Sequence, residues 1–312
     1  MNRRFSFLPF EYAAIALLSC QLVLFDHFSA ATPPNNSVDV DEMKNVFEKD
    51  GYLLLRKIFD KQELSKWESF ASQQFDSLFQ RLYENGVTKF PEHARVSSST
   101  GKILYAMEEG TNNGYSEIVM RSPGRYELSL RNTTSGDTPM ALFDTFVEQL
   151  SPFLPKFLHR NDMSDINMSY SLIVSTPGAS HQSWHTDSEH LSMEEHLPCH
   201  CLTVFIPLVN VSPRLGPTEI IPRSHFMTRQ PTPYQIPIDP ANPARAPTLK
   251  LGDAIVFDCR LMHHDKSNVS DQNRPVLALT FSQPTYNDTK SWPERSIFPS
   301  CDETEPTCAA VL

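Results

Sequence analysis

Apolar and polar residues alternate along this chain with two different periods, and the change near residue 165 separates a helical front from a β-rich remainder. Residues 41–50 carry a helical pattern, and Gly51 followed by Tyr52, Leu53, Leu54 and Leu55 predicts a buried strand. Asp60, with Glu63 three positions on, predicts the capped start of a long helix. In it Leu64, Trp67, Phe70, Ala71, Phe75, Leu78, Phe79 and Leu82 fall on one face, and Asn85-Gly86 ends it. An aromatic stripe at that spacing is read as the buried face of a helix, not as a ligand site. A second apolar helix pattern covers residues 140–158 and breaks near Pro152 and Pro155, because proline lacks the amide proton a helix interior needs. Residues 87–138 are polar and irregular, and no element is predicted there. Beyond 165, runs at 170–175, 202–208, 219–221, 254–257 and 276–282 read as short strands between turns, the pattern of a barrel or jelly roll. Residues 231–247, with Pro233, Pro237, Pro240 and Pro243, cannot form a central strand and are expected to be a surface loop or lid.

Composition narrows the function more than the fold. The net charge of −10 argues against a reader of nucleic-acid phosphates, which needs clustered Lys and Arg. Arg3 and Arg4, an apolar run at 13–25 broken only by Ser19 and Gln21, and the small residues Ser29, Ala30 and Ala31 read as a secretory signal peptide over residues 1–31. The run is shorter than the roughly 20 residues of a membrane-spanning helix, so an N-terminal anchor is the weaker alternative and no span is expected in the mature chain. Residues 32–40 read as a linker and 286–312 as a C-terminal tail. Asn-x-Ser/Thr sequons begin at Asn35, Asn132, Asn167, Asn210, Asn268 and Asn287, which agrees with a secreted or luminal glycoprotein. Past the leader the cysteines are Cys199, Cys201, Cys259, Cys301 and Cys308, an odd number, so one thiol is left over; Cys301 and Cys308 are the preferred pair.

Five histidines lie between His181 and His200, and His263 and His264 are adjacent. The sharpest motif is Trp184-His185-Thr186-Asp187, since residues two apart on a strand share a face and can reach one point in space. An imidazole and a carboxylate need one more imidazole to form the facial triad that leaves positions open on a ferrous ion, and His263 or His264 can supply it.

The run from Gly216-Pro217-Thr218-Glu219 through Arg223-Ser224-His225, the run from Leu251-Gly252-Asp253 through Arg260-Leu261-Met262-His263, and Asn268, Ser270 and Arg274 together resemble the phytanoyl-CoA dioxygenase family of Fe(II)/2-oxoglutarate oxygenases. The stretch Phe47-Glu48-Lys49-Asp50-Gly51-Tyr52-Leu53 resembles the opening element of the same family, and the likeness extends over about residues 42–283. The resemblance implies metal ligands at His185, Asp187 and His263. His263 is preferred to His264 because Arg260 three residues before it and Asn268 five after it match the family pattern. It also implies that Arg274, eleven positions on, grips the distal carboxylate of 2-oxoglutarate through a planar fork, with Ser171 and Phe205 as further cosubstrate contacts. Asp265 departs from the pattern, standing where the family often has a serine. A carboxylate there is unfavourable beside the cosubstrate unless Arg274 or Lys266 compensates.

The implied fold is mainly β with flanking helices, a double-stranded β-helix (jelly roll, cupin-like). Residues 41–285 would form a single oxygenase domain, with a helical support region at 41–164 and the β-helix core at 165–285. The implied activity is hydroxylation of an unidentified small-molecule or lipid-like substrate, with dioxygen consumed and succinate and CO2 released. Fe(II) and 2-oxoglutarate would be required, with ascorbate a candidate addition, and a retained carboxylate at Asp187 favours hydroxylation over halogenation. The charge of −10 and the leader argue against the polyanionic acyl-CoA of the family's name. The expected setting is the secretory pathway, either the ER or Golgi lumen or outside the cell. The alternatives are a non-catalytic cupin-like binding protein of the secretory pathway and a zinc hydrolase built on the His181–His200 cluster.

Overall fold

The structure is a computed structural model that describes residues 21–22, 39–84, 95–96, 103–104, 114–130, 140–228, 242–286 and 292–298. Helix α1 (Val40–Asp50) starts where the Asp39 side chain accepts the amides of Asp41 and Glu42. It stops at Gly51, whose φ of 81° is open to a residue without Cβ. Helix α2 (Lys61–Glu84) is capped by Asp60, which accepts from Gln62 and Glu63. All eight positions of its predicted stripe are buried. Helix α3 (Met140–Leu150) and the short α4 (Leu154–Phe157) divide around Pro152, with Pro155 tolerated in the first turn of α4.

The strands are β1 (Tyr52–Arg56), β2 (Ile118–Ser122), β3 (Arg125–Ser129), β4 (Asn167–Ser175), β5 (Cys201–Pro207), β6 (Thr218–Ile220), β7 (Ala254–Asp258), β8 (His263–Asp265) and β9 (Arg274–Ser282). An eight-stranded antiparallel sheet runs in the order Gln21–Leu22, β1, β7, β5, β9, β4, β3, β2. A smaller sheet pairs β8 with β6, widened by single bridges from His185 to His263 and from Ile220 to Arg245.

Alternation along the strands sorts the core into two layers. Leu172, Val174, Leu202, Val204, Ile206, Leu277 and Leu279 pack with the helices in one cluster. There Trp67 meets Phe143 and Phe146 at 6.5 and 6.0 Å, and Phe79 meets Tyr126 at 5.3 Å. Phe205, Ile255, Phe257, Val276 and Ala278 form a second cluster with Ile220 of the small sheet. Two antiparallel sheets enclosing that second layer make the expected mainly-β jelly roll.

The region 87–138 departs from its expected irregularity. It holds the β2–β3 hairpin, turned at Pro123-Gly124, where Gly124 has φ 77°. Tyr126 and Leu128 face the helical layer while Arg125 and Glu127 face inward, so polar residues on a buried face hide the alternation. The 41–164 region therefore contributes β2 and β3 to the large sheet besides the predicted strand β1. Part of the expected tail is also packed: Ile297 is buried, and its amide bonds the Glu117 carboxylate at 2.9 Å. Of the proline-rich segment only 242–247 is described, with Arg245 bridged to Ile220.

A disulfide joins Cys201 and Cys259, neighbours across β5 and the end of β7, while Cys199 is buried and free. The pairing expected between Cys301 and Cys308 lies outside the described residues, as does the leader apart from Gln21–Leu22. Among the described residues no helix is long and apolar enough to cross a membrane.

Candidate functional site

One atom each from His185, Asp187 and His263 can be chosen so that all lie within 4.8 Å of one another. His185 and His263 exchange both backbone hydrogen bonds, at 3.0 and 2.9 Å, which sets their rings 4.4 Å apart. Each ring is oriented from behind. Nδ1 of His185 lies 2.9 Å from the Ser183 carbonyl and Nδ1 of His263 lies 2.9 Å from that of Leu261, so both Nδ1 atoms donate and both Nε2 atoms are left to face the centre. Burial, and then the neighbouring His263, lower the pKa of His185 to about 4, so its imidazole is neutral at pH 7.

Asp187 does not continue a strand, contrary to the expected ladder. Its amide and that of Ser188 both donate to the Cys259 carbonyl, at 2.7 and 2.9 Å. That single carbonyl brings the carboxylate Oδ1 to 3.9 Å from Nε2 of His263.

His264 faces away. Its Nδ1 lies 2.8 Å from the Gln182 carbonyl and its Nε2 lies 2.8 Å from the Glu219 carboxylate, with the Trp184 ring centroid at 4.1 Å. The rest of the His181–His200 group does not converge on the site. His196 meets His190 and His225 edge to face, at 5.9 and 5.5 Å between ring centres, and the His200 ring lies 4.8 Å from that of Tyr286, where burial lowers the His200 pKa to about 4.

Arg274 is buried at the start of β9. Its guanidinium donates to the Gly216 carbonyl, to Ser175 Oγ at 3.1 Å and to Asp265, and its Nε has no partner. Arg274 lines a small cavity with Phe205, Thr218, Leu249, Ile255 and Val276. Phe205 thus lines the same cavity as Arg274. Ser171 faces the same layer, but its hydroxyl donates to Glu127 at 2.7 Å; the β4 serine that touches Arg274 is Ser175.

Asp265 is not compensated by Lys266, whose amine bonds Glu219 at 3.1 Å. Thr218 donates to one of its oxygens at 2.6 Å, and Arg274 and Arg125 both address the other. Burial would raise the Asp265 carboxyl, but the two guanidiniums outweigh it and hold the group well below the usual carboxylate range. Arg125 was not identified from sequence, because nothing local marks a buried arginine in an unassigned segment, and Ser175, at the end of the predicted strand 170–175, was passed over for Ser171.

Two imidazoles and one carboxylate whose donor atoms converge suit a divalent iron ion with open positions. The unpartnered Nε of a buried arginine suits a carboxylate guest. Two solved structures share the fold. AviO1 from Streptomyces viridochromogenes Tue57 is 15% identical with a TM-score of 0.53, over 85% of this chain and 100% of that one. The non-heme alpha ketoglutarate dependent epimerase SnoN from nogalamycin biosynthesis is 14% identical with a TM-score of 0.53, over 78% and 83%. The family model described as phytanoyl-CoA dioxygenase (PhyH) matches residues 47–276, a span running from α1 into β9 that takes in both histidines, Asp187 and Arg274, and on that match the chain belongs to the phytanoyl-CoA dioxygenase family.

Proposed function

We propose that the chain is an Fe(II)/2-oxoglutarate-dependent dioxygenase that hydroxylates a small or lipid-like molecule, releasing succinate and CO2. The convergence of His185, Asp187 and His263 within 4.8 Å is the observation that carries this proposal. Iron held there would supply dioxygen activation coupled to decarboxylation of the 2-oxo acid. The chain's own residues do the rest. His185 and His263 turn their Nε2 atoms to the centre, and the carbonyls of Ser183 and Leu261 hold their Nδ1 atoms behind. Asp187 supplies the one negative ligand, and its retention favours hydroxylation. Arg274 holds the distal carboxylate of the cosubstrate, and Phe205, Ile255 and Val276 exclude water around it. With a chain charge of −10, the substrate is proposed to carry no polyphosphate, which argues against acyl-CoA.

The test uses purified, iron(II)-loaded protein and follows succinate release together with the visible band formed by 2-oxoglutarate under nitrogen. Arg274→Lys is expected to raise the 2-oxoglutarate requirement at least about tenfold, because an ammonium cannot keep the contacts to Gly216, Ser175 and Asp265 and also present the donor that Nε offers. Tightly held zinc that 2-oxoglutarate leaves undisturbed would overturn the assignment.

The same proposal places the protein in the secretory pathway. The Cys201–Cys259 disulfide supports an oxidising compartment, and Asn167 and Asn210 begin sequons at exposed positions. Asn268 is different: it is fully buried, and its Nδ2 donates to the carbonyls of Ser175 and Gln272 at 3.0 and 2.8 Å, leaving no room for a glycan in the folded chain. Peptide mapping of protein from eukaryotic cells is expected to find Cys201 linked to Cys259, a glycan at Asn167 and none at Asn268. Two free thiols with an unmodified Asn167 would count against the secretory route.

A further inference from the structure

The inner face of the large sheet changes character at the level of Asp187. Val174, Leu202, Val204, Leu277 and Leu279 point to the helices, so the residues between them on β4, β5 and β9 point inward. Toward Arg274 the inward positions are mostly apolar: Ile173, Val276 and Pro207 form one row across the three strands, and Ala278 and Phe205 lie in the next. The row after that consists of Ser169, Thr280 and Thr203, one hydroxyl each from β4, β9 and β5. Thr203 is fully buried, and its hydroxyl lies 3.5 Å from Asp187 Oδ2 and 3.3 Å from the hydroxyl of Thr280. Thr280 and Ser169 are half-buried. The row therefore starts at a proposed metal ligand and leads out of the closed part of the layer.

Arg274 and its apolar surround occupy one side of the metal group, and they are proposed to take the cosubstrate. The hydroxyl row is left to the substrate. None of its three side chains carries a charge, and each hydroxyl can both donate and accept. Directly opposed side chains of antiparallel strands stand about 5 Å apart, comparable with the separation of hydroxyls two or three carbons apart on a six-membered ring. A hydrocarbon chain laid over the row would take polar groups out of water without giving them partners, a cost that a ligand rich in hydroxyls avoids.

We infer that Ser169, Thr280 and Thr203 form the substrate-binding wall of this site, and that the substrate is a neutral, polyhydroxylated ring compound, a cyclic polyol or a glycoside, and not a lipid. The inference rests on the proposed iron- and 2-oxoglutarate-dependent activity and narrows its substrate class.

The test is calorimetric titration under nitrogen of the full chain with iron(II) and 2-oxoglutarate present. One panel of probes is myo-inositol, scyllo-inositol and the methyl glycosides of glucose, galactose and mannose; the other is cyclohexanol, 1-octanol and octanoic acid. At least one polyhydroxylated probe is expected to bind, and in air the same probe should raise succinate release above the uncoupled rate. Thr280→Val and Ser169→Ala should each weaken its binding roughly three- to tenfold, whereas Thr280→Ser should stay within about twofold of the wild type. Iron retention and the visible band with 2-oxoglutarate should be the same in all three variants, which separates a lost contact from a disturbed fold. Binding by no polyhydroxylated probe, tighter binding by the apolar panel, or wild-type affinity in the Ser169→Ala, Thr280→Val double variant would each overturn the inference. If a polyhydroxylated probe binds through these residues while the wild type forms no visible band with iron(II) and 2-oxoglutarate, the proposed activity fails and the binding wall stands.

Discussion

Asp187→Ala and His263→Ala are expected to lose iron on desalting and to release no succinate above background, while His264→Ala keeps most of both. The size of the contrast follows from what each side chain touches. Asp187 is the one carboxylate of the group among the described residues, and removing it takes away the negative charge that offsets the ion and a third of the donor set. His263 offers Nε2 to the centre because Nδ1 is held at 2.9 Å by the Leu261 carbonyl. Outer contacts around metal ligands are worth roughly 10–100-fold in affinity or activity, so loss of a ligand should exceed that range. His264 has both nitrogens engaged on the far side of β8, with Gln182 and Glu219. Its replacement should therefore cost a few-fold at most. Iron per chain after desalting, measured beside uncoupled 2-oxoglutarate decarboxylation, separates the cases. An inactive, iron-free His264→Ala with an active His263→Ala would reverse the ligand assignment.

The largest expected loss of stability is at Asp258. Asp258→Ala should destabilise the chain by about 3–5 kcal/mol, because it strands the Arg260 guanidinium, itself 1% exposed, without its counter-ion. The pair is closely made: Arg260 donates its amide and Nε to one Asp258 oxygen at 2.9 Å each and a terminal nitrogen to the other at 2.6 Å. A further nitrogen reaches the Leu197 carbonyl at 2.8 Å, tying the turn after β7 to the chain beyond Asp187. Within that turn the Cys259 carbonyl holds Asp187 and the Leu261 carbonyl orients His263, so iron retention should fall along with Tm. The Tm shift should be roughly 10 °C for a chain of this size. Burial would raise the Asp258 carboxyl, but its hydrogen bonds to Arg260 and the guanidinium charge hold it well below the usual carboxylate range. A carboxyl depressed on folding stabilises above its unfolded pKa, about 3.9, and that contribution fades as pH falls from there through the folded value. The gap between wild type and Asp258→Ala should thus be level from pH 7 to about 4 and close below it. A loss under about 1 kcal/mol at pH 7 would mean that the ion pair does not hold this turn.

What could be read from the sequence is what local periodicity encodes. The α2 stripe, from Leu64 to Leu82, is buried at every predicted position, since a helix's buried face depends only on spacing along its own chain. The β runs around Tyr170, Leu202, Glu219, Ala254 and Val276 each became a strand for the same reason. The motif around His185 and Asp187, with His263 at its distance from Arg260 and Asn268, pointed to side chains that the fold does bring together.

The tertiary structure decided everything that depends on partners far away in the chain. The β2–β3 hairpin was hidden because Arg125 and Glu127 are polar residues on a buried face, and Asp265, Ser175 and Ser171, all distant in the chain, help to make that tolerable. The ladder that was to carry Asp187 gave way to one carbonyl at Cys259, and that residue is itself fixed by a disulfide to Cys201. Asp265, read locally, is a carboxylate in the way of another; in the fold it is a shared counter-ion between two arginines. Period along a chain determines which face of an element is buried, but the charge of a buried group depends on what surrounds it, and only the packed sheets bring those neighbours together.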